Sequence, residues 1–163
     1  MNENENYVLN PDKDGIDHIN IYSKGKTELG RMLTNFSKFN VYTKDGWFMS
    51  IEGYWYWMSI EPCEEREILR QCYGFKAKQV GREILKTKKP AWDDDFEHKI
   101  LLAIWYKFRR NTHLLTPEYW ELPFRHYYNF NGKIIDVTEK YQWMVDGITK
   151  MRDCLVEDMK TKS

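Results

Sequence analysis

Cysteine, net charge and long apolar runs are all scarce in this chain, and each scarcity removes a class of protein. The three cysteines, Cys63, Cys72 and Cys154, form no C-x-x-C pair and are odd in number. A disulfide framework is therefore not expected, and a reducing compartment, the cytoplasm, is. No stretch approaches the roughly 18 apolar residues of a membrane span, and residues 1–18 form a polar lead without the apolar centre of a signal peptide. A formal net charge of zero argues against coating nucleic acid by bulk electrostatics, although a local basic face stays open. His18, His98, His113 and His126 show neither H-x-x-x-H nor Cys/His spacing, so no metal site is expected. The chain also lacks a Walker glycine loop, a G-x-G-x-x-G turn and a G-x-S-x-G elbow, which leaves phosphate-loop, Rossmann and serine-hydrolase chemistry without residues and calls for no cofactor.

What is present is aromatic. In 163 residues, 42 % are apolar and 16 % aromatic, enough for one domain that buries roughly two-thirds of its unfolded surface. No repeat or linker divides it, so residues 19–163 are expected to form a single domain.

Ile19 to Tyr22 is a short β-prone run. Asp45-Gly46 and Asn131-Gly132 each lie between aromatic, β-prone runs and predict two hairpins. Ser50 predicts the cap of a helix running to about Ile60, and Pro62 opens another to about Tyr73. From Phe75, apolar Ala77, Val80, Ile84 and Leu85 recur at helical spacing, among six Lys or Arg and one Glu. Such a face is solvated or attracts phosphate, and Trp92 follows it. Asp94 and Glu97 are spaced as a capping box opening what reads as the longest helix, through Phe108 to about Asn111. Thr116-Pro117-Glu118 predicts about two helical turns, and a last helix is expected from about Thr138 past Leu155. The expected class is α+β, a mostly helical domain with small antiparallel β elements.

One carboxylate sits among the rings: Glu52, followed by Tyr54, Trp55, Tyr56 and Trp57. In the first turn of a helix it could simply complement the macrodipole, worth about 0.3 to 1 kcal/mol. It also suits cleavage of a bond between ribose and a base, where a carboxylate stabilises oxocarbenium charge or activates water. Rings would stack on the base, and Lys or Arg would hold phosphates.

The order of these pieces resembles the NADAR superfamily, the YbiA-like N-glycosidases associated with NAD and ADP-ribose. The resemblance rests on INIYS from Ile19 to Ser23, LTNF from Leu33 to Phe36, Asp45-Gly46 and SIEGY from Ser50 to Tyr54. It continues in AKQVGR from Ala77 to Arg82, Trp92, and LLAIWYKF from Leu101 to Phe108. It implies a YbiA-like fold with Glu52 catalytic, Trp92 stacking on substrate, and Asn35, Phe36, Arg82 and Lys107 lining or supporting the pocket. Gly53 replaces the family's histidine, Ser59 its lysine, and the glycine-rich carboxyl-terminal loop is missing. In that region Asp136 and Trp143 stand where the family has a catalytic aspartate and a substrate-binding tryptophan. The implied activity is hydrolytic removal of ADP-ribose from a modified base, such as guanine in DNA. Cleavage of ribosylamino-pyrimidine phosphates, or noncatalytic ADP-ribose binding, are the alternatives.

Overall fold

The computed structural model describes residues 8–162. The class is α+β, as expected, and most of its regular structure is helical. A short strand β1 (Ile19–Asn20) leads into α1 (Glu28–Leu33), whose cap is Thr27, its Oγ1 accepting from Gly30 N at 2.9 Å. Strands β2 (Val41–Thr43) and β3 (Gly46–Phe48) form the first hairpin. Its turn needs Gly46, which sits at φ +100. Helix α2 (Ile51–Met58) starts at Ser50, whose Oγ accepts from Gly53 N at 3.0 Å and donates to Cys72 O at 2.7 Å. A 3-10 segment (Glu65–Gln71) then leads to α3 (Gly74–Ile84) and α4 (Phe96–Arg109). Strand β4 (Phe124–Arg125) precedes the second hairpin, β5 (Tyr127–Phe130) and β6 (Lys133–Asp136), and α5 (Gln142–Thr161) follows. The Asn131-Gly132 turn has φ 53 and 92, the pair of positive values a two-residue hairpin turn requires.

The core gathers around α4. Its Ile100, Ala103, Ile104 and Phe108 are buried against Met144, Val145 and Ile148 of α5 and against Ile51, Tyr54 and Met58 of α2. Fully burying each large apolar side chain is worth about 1.5 to 3 kcal/mol, so this three-helix junction carries much of the stability and fixes α2 against its neighbours. No helix among the described residues is long and apolar enough to cross a membrane.

Several local expectations are corrected. The Ile19 strand is not antiparallel: it pairs in parallel with β4, Ile19 opposite Phe124, a contact between distant segments that local sequence does not specify. The longest helix is α5, not α4. The capping box at Asp94 does not form. The N-cap is Asp95, which makes no side-chain cap bond; Asp93 instead steadies the turn ahead of it, with Oδ1 accepting from Asp95 N at 2.9 Å and Oδ2 held by Lys99 at 2.8 Å. Helix α5 begins later than Thr138 because Thr138 closes the second hairpin, its Oγ1 accepting from His126 N at 2.8 Å. The Pro62 helix shrinks to the 3-10 segment. There Arg66 bonds the carbonyls of Trp57 in α2 and of Ile60 just beyond it, at 3.2 and 2.8 Å, and stacks on the Trp57 ring. After Pro117 only a 3-10 turn of three residues forms.

Candidate active site

Glu52 lies in the first turn of α2, and its backbone N–H donates to the Asn35 carbonyl at 2.9 Å, tying the helix start to the loop after α1. Its carboxyl pKa is raised to about 7, first by burial, against the lowering pull of Lys78 and Arg82. A carboxylate kept for the macrodipole would be shifted downward. Here desolvation outweighs the dipole and both cations, so the charge at Glu52 costs stability instead of adding it.

Residues three and four places on, Trp55 and Tyr56, share the Glu52 side of α2. Trp55 is the hub of a ring cluster. It meets Phe96 edge-on at 4.7 Å, Tyr141 at 6.1 Å and stacks on Trp143 at 6.0 Å. Trp92 stacks on Phe96 at 6.5 Å and leaves 81 % of its surface exposed. From Tyr141 the rings continue through His126 to Tyr128 and Phe130. The Tyr56 hydroxyl is pushed up by burial and then by the Glu52 charge. Tyr128 is pushed up by burial, by Tyr141 and by Glu52. Two phenols from different elements therefore sit within electrostatic reach of one carboxylate.

The residues expected at the site fall into three groups. Glu52, Arg82, Trp92 and Trp143 are brought together, Arg82 through its charge on Glu52 and Trp143 and Trp92 through the ring cluster. Asn35, Phe36 and Lys107 build the supporting loop. Lys107 is completely buried, and its Nζ donates to Thr34 O and Ser37 Oγ at 2.8 Å each. Burial lowers its pKa to about 7. Phe36 accepts Gly74 N at 2.9 Å, which joins the loop to α3. Asn35 Nδ2 reaches Met144 Sδ at 3.8 Å, and its buried Oδ1 has no partner among the described residues, leaving an acceptor for a ligand N–H or O–H. Asp136 stands apart. It is exposed at the end of β6, its Oδ1 accepts Thr138 N at 2.9 Å, and its charge acts on His126, whose pKa burial lowers.

Gly53 and Ser59, the two departures from the resembled pattern, each sit in a specific local contact. A Cβ at Gly53 would lie 2.4 Å from the carbonyl oxygen of Leu69, so the 3-10 segment packed on α2 admits only glycine there. Ser59 caps the end of α2, its Oγ donating to Trp55 O at 2.7 Å. Lys78, Tyr56 and Tyr128 are functional candidates that sequence reasoning did not single out. Lys78 was detectable: with Ala77 and Gly81 turned inward, positions 78 and 82 share the adjoining stripe of α3. Tyr128 gave no such indication, because its link to Glu52 crosses between hairpin and helix.

Compared with protein-family models, curated proteins and solved structures, the chain matches none.

Proposed function

We propose that the Glu52 face is the active site of an N-glycosidase that releases ADP-ribose from a modified nucleobase. One observation carries the reading: a carboxyl group with a pKa of about 7, beside Lys78 and Arg82, on a helix face walled by rings. A general base is most effective when its pKa lies near the working pH. Ionised Glu52 accepts a proton from water as that water adds to the ribose anomeric carbon. The carbon–nitrogen bond breaks, and its electron pair leaves with the base, which takes up a proton. The same charge stabilises the oxocarbenium character that develops as the bond lengthens. Lys78 and Arg82 suit the diphosphate, and exposed Trp92 suits stacking on a base. The family resemblance assigns the same role to Glu52 and to Trp92.

The test incubates the protein separately with ADP-ribosylated DNA and with ribosylamino-pyrimidine phosphates, and follows release by mass spectrometry. The reading expects ADP-ribose from the DNA. Release only from the small phosphates would move the substrate class while keeping Glu52. Gly53 in place of the resembled histidine and the missing glycine-rich loop favour a noncatalytic reader, and release from neither substrate, with ADP-ribose still bound by calorimetry, would establish it.

A further inference from the structure

A second set of rings lies on the side of α2 turned away from Glu52. The Tyr54 hydroxyl donates to Asp45 Oδ2 at 2.7 Å, and Phe48 packs on Tyr54 and Trp57 at 4.7 and 5.6 Å, so these residues face the β2–β3 hairpin. On the outside of that hairpin Tyr42 and Trp47 oppose each other across the strands, 5.0 Å apart, and expose 57 % and 55 % of their surfaces. Trp47 continues to Tyr106 of α4, on which the Arg110 guanidinium lies at 3.5 Å. Beside Trp47 is an open depression of about 340 Å³ bordered by Asn40 and Arg70.

The charge around these rings is unbalanced. Asp45 and Asp93 are both held by Lys99, and Glu67 by Arg70. Arg109 and Arg110 at the end of α4 are exposed and form no ion pair with a carboxylate among the described residues, and Lys44 at the hairpin turn is exposed with only a longer-range pull on Asp93. Exposed flat rings beside unpaired cations complement a chain that alternates bases with phosphates.

We propose that this surface binds single-stranded nucleic acid, with bases stacked on Tyr42 and Trp47 and phosphates paired with Lys44, Arg109 and Arg110. The inference does not depend on Glu52 or on any glycosidase activity. It is tested by fluorescence anisotropy of a labelled oligothymidylate of about 12 nucleotides, titrated with the full chain at about 25 to 200 mM salt. Saturable binding is expected, weakened about tenfold by Trp47→Ala and by Tyr42→Ala. Arg109→Gln together with Arg110→Gln should lower the slope of log affinity against log salt by about 1.4. Phe75→Ala, which removes a comparably exposed ring on α3, should leave affinity within about twofold. Should either ring variant fail to fold, the arginine pair still decides. No binding at low salt, equal losses from Phe75→Ala and Trp47→Ala, or an unchanged salt slope in the arginine pair would each overturn the proposal. So would a dimer seen by sedimentation that Trp47→Ala dissolves, since that would make the surface a self-association face.

Discussion

At the scale of single residues, Glu52 and Lys107 carry opposite charges under the same strain. For Glu52 the folded pKa of about 7 exceeds its ordinary 4.5, so the folded state binds the extra proton. Its contribution is fully present below pH 4.5 and is lost as pH rises to about 7, on the order of 3 kcal/mol. For Lys107 the folded pKa of about 7 lies below its ordinary 10.5, so the unfolded state holds the proton more tightly. Stability therefore rises from pH 7 to 10.5, on the order of 3 to 5 kcal/mol. Denaturant melts across this range should show that Glu52→Gln flattens the acid-side fall, while Lys107→Met flattens the alkaline rise. At about pH 8, Glu52→Gln should be the more stable protein. A loss of stability there would mean that the carboxylate is favourably solvated after all. Trp92→Ala should leave the melt unchanged, because the ring is 81 % exposed, and should weaken ADP-ribose binding by about 1 to 3 kcal/mol. Calorimetry with unchanged affinity would remove Trp92 from the site.

At the scale of elements, two glycines set how closely α2 is approached. At Gly53 an added methyl meets the Leu69 carbonyl at 2.4 Å, and backbone cannot step aside cheaply. Gly53→Ala should therefore cost at least about 1 to 3 kcal/mol in chemical denaturation. At Gly81 the methyl would meet the Tyr56 ring at 2.3 Å, near its root. Gly81→Ala should turn that ring away and lower turnover as well as stability. Equal turnover per folded molecule would show that Tyr56 has no part in the site. The local devices were legible in sequence: the Ser50 cap, the Asp45-Gly46 and Asn131-Gly132 turns, and the basic stripe of α3 each follow from neighbours a few residues apart. The β1–β4 pairing was not, and neither was the placement of Tyr128 near Glu52, since both depend on segments far apart in the sequence. Helix limits shifted where tertiary bonds claimed the capping residues, as Thr138 shows by serving His126 instead of α5.

At the scale of the whole molecule, the three-helix core around α4 is apolar, and one buried cation, Lys107, is tied to the loop that meets Glu52. The buried Lys107 steadies the loop of Asn35, that loop receives the first-turn N–H of Glu52, and α3, α4 and α5 bring Arg82, Phe96 and Trp143 around it. The charge on Glu52 that costs stability is the one the reaction uses, so between about pH 4.5 and 7 activity should rise while the Glu52 contribution to stability falls. The most direct test is the single-turnover rate on ADP-ribosylated DNA, for the unaltered protein from about pH 5 to 9 and for Glu52→Gln at the upper end. The rate should rise about tenfold per pH unit below about 7, level off above it, and fall by about a hundredfold or more in Glu52→Gln while ADP-ribose affinity stays within about tenfold. A flat profile, or a Glu52→Gln rate within about tenfold of the unaltered protein, would contradict the assignment of Glu52 as the catalytic base.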